Sequence, residues 1–494
     1  MKGYMSSEPQ DSCTKSFFSD QAFKDQPLPS GIHKALEEMN MTSMSEIQAK
    51  SIPKLLQGRD VLGSAKTGSG KTLAFLVPAL SLMYQASFLP RNGTGTIVIS
   101  PTRELALQIY DVAIEVSKYL PQTHGCVMGG AHKKTEAARL IKGVNLLIAT
   151  PGRLLDHLQN TRGFVVSNLL MLIVDEADRI LEIGFEDELS AILELIPQKR
   201  QTALFSATQT TKVADLARLS LSKPVLVEVQ SPQSTVEGLH QGYVLCEPQN
   251  RFVLLYSFLK RSLSKKVMVF MSTCVGVRYF EDLLNYIDIP VISIHGKKKQ
   301  AARMTIYHQF CEAETGILLC TDVAARGLDI PAVDWIVQFD PPDDPREYIH
   351  RVGRTARGAA GKGRALLFLM KQEMPFLNHL KEMRVTVEEF EFKTAGFDAV
   401  KKQHLRITEQ NFHLNKLGRD AFKAFLHAYG GHTLKDVFSV KKIDVDALAN
   451  GFGFPRPPVR VELARTKELT TRKRPMKTQD DKKYMKKVRR VVQS

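Results

Sequence analysis

Two tandem parallel-sheet α/β domains, followed by a helical region and a basic tail, are what this sequence predicts, on three observations. Short apolar runs of strand length alternate with helical patterns along most of the chain. Each run is continuous, which suits strands buried on both faces of a parallel sheet. The rhythm then breaks once, around residues 228 to 242, and starts again. At 494 residues the chain exceeds one ordinary core, so two or three domains are expected, and 43% hydrophobic content supports full-sized cores.

Taken in order, residues 1–22 are polar and expected to be mobile. In the first domain, 23–229, the strand candidates are Asp60–Gly63, Thr96–Ile99, Leu146–Ala149, Met171–Val174 and Thr202–Phe205. Residues 230–242, opening on Gln-Ser-Pro-Gln-Ser-Thr, read as a linker. The second domain, 243–392, offers Lys266–Phe270, Val291–Ile294, Gly316–Leu319, Trp335–Phe339 and Arg364–Phe368. Residues 393–460 are more helical, and 461–494 lack the apolar content to fold alone.

A net charge of +16 points to a polyanionic partner. The charge is uneven: from Arg465 onward twelve Lys/Arg stand against three Asp/Glu. None of the six cysteines falls in a CxxC or Cys/His ligand spacing, so neither a disulfide framework nor a zinc site is expected. Met1-Lys2-Gly3-Tyr4 opens no apolar signal segment, and no apolar run approaches the roughly 18 residues of a membrane helix. No membrane partner is expected.

The chemistry concentrates at the ends of strand candidates, where open α/β sheets place their ligands. Ala65-Lys66-Thr67-Gly68-Ser69-Gly70-Lys71-Thr72 is a glycine-rich loop before a helix. The N–H groups of such a loop cradle phosphate oxygens. Lys71 would reach the terminal phosphates of a nucleoside triphosphate, and Thr72 would ligate Mg2+. The usual fingerprint begins with Gly, where this chain has Ala65. Asp175-Glu176-Ala177-Asp178 ends the apolar run Leu169–Val174. Asp175 is the expected Mg2+ ligand and Glu176 the base that orients the attacking water.

These blocks resemble the DEAD-box RNA helicases, which implies two RecA-like P-loop NTPase domains. The first would carry the adenine-reading motif, the phosphate loop and the acidic motif. Phe23 stands seventeen residues before the segment Asn40–Gln48. By resemblance, Phe23 packs on the base and Gln48 pairs with adenine N6 and N7, selecting ATP over GTP. Asn40-Met41 departs from the family's Gly-Phe. In His350-Arg351-Val352-Gly353-Arg354-Thr355-Ala356-Arg357, the resemblance implies that Arg354 and Arg357 meet the γ-phosphate. Asp329 matches a ribose contact. These residues lie in the second domain, so the ATP site is complete only when the domains close.

The resemblance extends to an RNA track. Thr102 and Arg103, Gly129 and Gly130, and Thr150 and Arg153 match first-domain RNA blocks, while Arg303 and Thr321 match second-domain ones. Contacts to backbone and 2′-OH imply weak sequence preference. Ser206 and Thr208 match the block that couples hydrolysis to strand separation. More narrowly, Asp175–Phe185, Phe205–Thr210, Leu414–Phe422, His427–Tyr429 and Gly451–Pro455 resemble the Has-type subfamily. That implies pre-rRNA as the RNA, ribosome-assembly proteins as partners, a monomer, and a nuclear, nucleolar address. Arg472-Lys473-Arg474 and Lys482-Lys483 fit such an address. The alternative is an ATP-gated RNA clamp that serves as an assembly scaffold.

Overall fold

The computed structural model of the chain describes residues 18–65, 68–208, 210–229, 239–322, 330, 333–355, 363–392 and 396–458. A short antiparallel pair opens it: β1 (Phe18–Ala22) on β2 (Ser43–Ser45). The first parallel sheet has seven strands: β3 (Val61–Ser64), β4 (Thr96–Ile99), β5 (His124–Val127), β6 (Leu146–Ala149), β7 (Met171–Val174), β8 (Gln201–Ser206) and β9 (Val225–Glu228). The second also has seven: β10 (Leu239–Leu245), β11 (Lys266–Phe270), β12 (Ile292–Ile294), β13 (Gly316–Cys320), β14 (Trp335–Gln338), β15 (Gly363–Leu369) and β16 (Glu388–Glu389).

The spatial orders are β5-β6-β4-β7-β8-β3-β9 and β12-β13-β11-β14-β15-β10-β16. Counted within each half, both read 3-4-2-5-6-1-7, so one architecture occurs twice. Every pairing within the two sheets is parallel, as the continuous apolar runs require. The central strands β4, β6 and β7 are buried at every residue. Two apolar clusters cover the two faces of the first sheet. Full burial of one such side chain contributes about 1.5–3 kcal/mol relative to exposure.

Three expectations need correction or addition. Phe18–Ala22 lies in the segment expected to be mobile, yet it forms β1 through pairing with β2. Leu239–Gly242 falls in the expected linker, yet it begins β10, which pairs along its whole length with β15. The His-Gln-Gly stretch disguises it. Gly242 is needed there, because a Cβ would sit 2.4 Å from the Phe390 ring. Strands β5 and β9 were not legible as apolar runs, because each lies at a sheet edge and is only partly buried.

The C-terminal helices Phe397–Gln410, Phe412–Gly431 and Val445–Gly451 share the core of the second sheet. Gly418 permits this: a Cβ there would come within 3.0 Å of Tyr279 and 3.1 Å of Phe454. The buried Tyr279 hydroxyl donates to the Phe452 carbonyl at 2.7 Å and lies 3.0 Å from His404 Nε2. Among the described residues no helix is long and apolar enough to cross a membrane.

Candidate nucleotide and RNA site

The phosphate loop leaves β3 and enters the helix Lys71–Gln85. Gly68 and Gly70 have φ of 78° and 89°, the left-handed region that L side chains rarely adopt. Gly70 is constrained twice, since a Cβ would fall 2.6 Å from Gln48 Nε2. Gln48 donates to the Gly70 carbonyl at 2.9 Å and accepts from the Ser45 N–H at 2.8 Å. It therefore braces the loop, and its amide retains one further N–H and one lone pair. Ser45 Oγ donates to the Ser69 carbonyl at 2.8 Å. Phe23 is 2% exposed within the first-domain core, so a base stacking on it would first have to uncover the ring.

Lys71 is buried, and its ammonium donates to the Ala65 carbonyl of its own loop at 2.9 Å. Thr72 follows it in the first turn of the helix. Ser69 Oγ is buried without a hydrogen-bond partner. A folded-in lysine and an orphaned hydroxyl around two left-handed glycines fit a phosphate ligand. Lys66, Thr67, Asp329 and Arg357 lie outside the described residues.

Asp175 and Glu176 directly follow β7. Glu176 adopts φ 48°, ψ 52°, an uncommon left-handed conformation for a non-glycine residue. Burial pushes the Asp175 carboxyl up to about 7, against the opposing pull of Lys71. Burial also raises Glu176, opposed first by Arg354 and then by Lys71. Among the described residues no cluster of three or more His, Cys, Asp or Glu could hold a metal. One carboxylate with substrate phosphates is the usual Mg2+ arrangement, and desolvated Asp175 fits it.

The second half supplies the opposing charge. The helix Pro345–Val352 ends just before Arg354, which is 5% exposed and donates through Nε to the His350 carbonyl at 3.1 Å. Burial lowers the Arg354 pKa, and the nearby Glu176 charge counters that. Burial likewise lowers His350 to about 4, against Asp178. Thus groups from both sheets act on one another. Arg179, three residues beyond Glu176, also reaches Glu347 across the halves at 3.4 Å.

Asp178, Arg351 and Asp340 belong to this site although sequence reasoning gave them no role. Asp178 Oδ2 accepts from the Thr208 N–H at 2.9 Å and its hydroxyl at 2.7 Å, while Ser206 Oγ donates to the Thr208 carbonyl at 2.7 Å. Ser206 and Thr208 are thus tied directly to the acidic motif. Arg351 is 2% exposed and donates to both Asp322 oxygens, at 2.6 and 2.7 Å, and to the Asp340 carbonyl at 2.7 Å. It anchors the arginine motif inside the second half. Its invisibility in the sequence is natural, since its partners lie eleven and twenty-nine residues away.

The structure groups the RNA-track residues but engages them with protein. Thr102 Oγ1 caps the helix Arg103–Val116 by accepting from Leu105 N–H at 3.3 Å. The Arg103 guanidinium lies over Gly129 and Gly130, where a Cβ would meet it at 3.1 and 2.6 Å. Thr150 is the N-cap residue of the helix carrying Arg153. Arg153 donates to Glu136 at 2.5 Å. Burial pushes the Glu136 carboxyl up, but His157, the Met128 N–H and Arg153 outweigh it and hold it below its usual value.

Arg303 lies 2.5 Å from Glu104, and both are buried. Gln300 donates to the same Glu104 oxygen at 3.0 Å, and Gln108 donates to the Tyr307 hydroxyl at 2.9 Å. These contacts bridge the two halves. Thr321 Oγ1 is buried without a hydrogen-bond partner. Glu104 and Glu136 went unread because a lone acid within a basic block carries no distinctive spacing.

Comparison with known proteins fits this geometry. The DEAD/DEAH box helicase family model matches residues 45–216, and the helicase conserved C-terminal domain matches 250–359. An "ATP-dependent rRNA helicase SPB4-like, C-terminal extension" model matches 411–460. The chain is 58% identical over 442 residues to the ATP-dependent RNA helicase has1 of Schizosaccharomyces pombe, covering 89% of this chain and 76% of that one. It is 56% identical to HAS1 of Kluyveromyces lactis, covering 88% and 89%. Among solved structures, Mss116p bound to ssRNA and AMP-PNP aligns with TM-score 0.79 at 29% identity, covering 90% of this chain and 92% of that one. S. cerevisiae Dbp5 bound to RNA and ADP BeF3 aligns at 0.68 and 25%, covering 80% and 99%.

Proposed function

The chain belongs to the DEAD-box ATP-dependent RNA helicases of the Has1 kind, and from that premise we propose how its residues run the reaction and where it acts. ATP binds between the halves, with its phosphates on the loop Ala65–Thr72. Lys71 leaves the Ala65 carbonyl for the terminal phosphates. Gln48 reads the adenine edge with its remaining N–H and lone pair. Thr72 and Asp175 would hold Mg2+, which would supply charge neutralisation on the phosphate oxygens.

Glu176 orients the attacking water and accepts its proton on a carboxylate oxygen. Burial favours that step because it makes the carboxylate more basic. Arg354 stabilises charge that develops on the γ-phosphoryl oxygens. Asp178 passes changes at the acidic motif to Ser206 and Thr208. RNA runs along Arg103, Gly129–Gly130 and Arg153 in the first half and Arg303 and Thr321 in the second.

The observation that carries this reading is the meeting of the acidic-motif helix with the arginine-motif helix, Arg179 to Glu347 at 3.4 Å, which brings the charges of Glu176 and Arg354 to bear on one another. Catalysis then depends on closure, and closure on RNA. We assign the work to local remodelling of pre-rRNA during ribosome assembly, in the nucleolus. The rRNA-helicase type of C-terminal extension supports that assignment.

A second reading, an ATP-gated clamp, is favoured by the buried Arg303–Glu104 pair, which would prolong closure. Multiple-turnover unwinding of a short rRNA duplex, measured beside ATP hydrolysis, separates the two. A helicase releases strands repeatedly as ATP is consumed. One round of strand release with continued tight RNA retention would favour the clamp.

A further inference from the structure

We infer that the C-terminal extension positions the arginine finger, acting through the loop Phe339–Asp344. This rests on the reading of Arg354 as the γ-phosphate contact. The loop connects β14 to the helix Pro345–Val352, whose end leads into Arg354. The extension grips it at two places.

At its far end, Thr433 Oγ1 donates to the Asp343 carbonyl at 2.6 Å, and His432 packs beside it with Nδ1 3.2 Å from Asp343 Oδ1 but without a hydrogen bond. Both residues directly follow the helix Phe412–Gly431. His432 is itself held by stacking on Phe438 at 3.8 Å. The grip falls one residue before Asp344, the side-chain N-cap of the helix.

At its near end, Arg251 is the intermediary. It is 4% exposed, and its guanidinium sits 5.0 Å from the Phe425 ring of the extension and 4.6 Å from Phe339. It donates to Asp340 Oδ1 and to the Phe339 carbonyl, each at 2.5 Å. Asp340 in turn accepts from Ser272 at 2.8 Å and offers its carbonyl to Arg351 at 2.7 Å. Arg351 lies three residues before Arg354, and its carbonyl accepts from the Arg354 N–H at 3.1 Å. Short polar contacts thus run from Arg251, which packs against the extension through the Phe425 ring, to the finger's own turn.

Charged groups aimed at a transition state lose effect quickly when displaced; a shift of 1 Å can cost about 100-fold in rate. His432 and Thr433 are positioning residues in this sense, because they act through Asp343 and the loop that leads to Arg354. The test uses the full chain. His432→Ala/Thr433→Val should lower kcat for ATP about 10- to 100-fold at saturating ATP and RNA. RNA affinity with a non-hydrolysable ATP analogue should move less than about twofold. Thr433→Val alone keeps shape and should give a smaller fall in the same direction, while Thr433→Ser should restore turnover.

A mere brace would lower the melting temperature and leave kcat intact in protein that is still folded at the assay temperature; that result overturns the inference. The cycle with Arg354→Lys is the sharper arm. If the extension acts through Arg354, the clamp substitutions should add little to the loss caused by Arg354→Lys. Additive losses overturn the positioning role alone. An Arg354→Lys protein with full turnover would overturn the reading of Arg354 together with it.

Discussion

The nucleotide site and the RNA track treat charge in opposite ways. Asp175 and Glu176 are drawn into a desolvated cleft, and among the described residues neither forms an ion pair within 4.0 Å. The cations of the RNA track are already matched: Arg153 by Glu136 and Arg303 by Glu104. Arg103 is packed over two glycines. In the proposed reaction, Mg2+ and the phosphates of ATP would relieve the unfavourable burial of the first arrangement. If RNA runs along these residues as proposed, its phosphates would have to compete with the protein carboxylates of the second arrangement.

The largest expected effect breaks the nucleotide side. Glu176→Gln preserves shape but removes the proton acceptor, so RNA-stimulated ATP hydrolysis should fall by about 10²–10⁴ while ATP and RNA still bind. Hydrolysis within about threefold of the parent would reject Glu176 as the base.

The RNA side is probed by a pair of substitutions with opposite signs. Arg303→Ala should raise the RNA concentration for half-stimulation about tenfold, the loss of one charge-assisted contact. Glu104→Gln should lower it by several-fold, since a competitor is removed. If both changes raise it equally, the pair is a closure latch and the competition account is wrong.

Nucleotide choice is subtler, because Gln48 also braces the loop. Gln48→Ala should weaken ATP by about tenfold more than GTP, the amount by which a bidentate pair discriminates. Equal loss for both nucleotides would leave Gln48 with its bracing role only.

The smallest effect concerns stability and pH. Asp175 is raised from 3.8 to about 7 on folding, so the folded state favours its protonated form. Its contribution to stability is fully present below about pH 4 and is lost as pH rises through 7. Without nucleotide or magnesium, Asp175→Asn should therefore raise the melting temperature by a few degrees at pH 8 and by less at pH 5. A destabilised variant at pH 8 would show that the carboxylate is compensated within the protein.

Sequence and structure divide along a physical line. The sequence by itself determined what depends on neighbours along the chain. The buried strands β4, β6, β7 and β11 were legible as continuous apolar runs. So were the phosphate loop, whose glycines adopt left-handed φ, and the acidic pair directly following β7. Tertiary structure alone decided what depends on distant partners. It paired Arg303 with Glu104 from 199 positions away, made an internal strand of the polar-looking Leu239–Leu245, and merged the C-terminal helices into the second core. Periodicity reports whether a residue is buried. Which distant group meets it there is set by the packing of whole sheets and helices, and a local pattern carries no record of that choice.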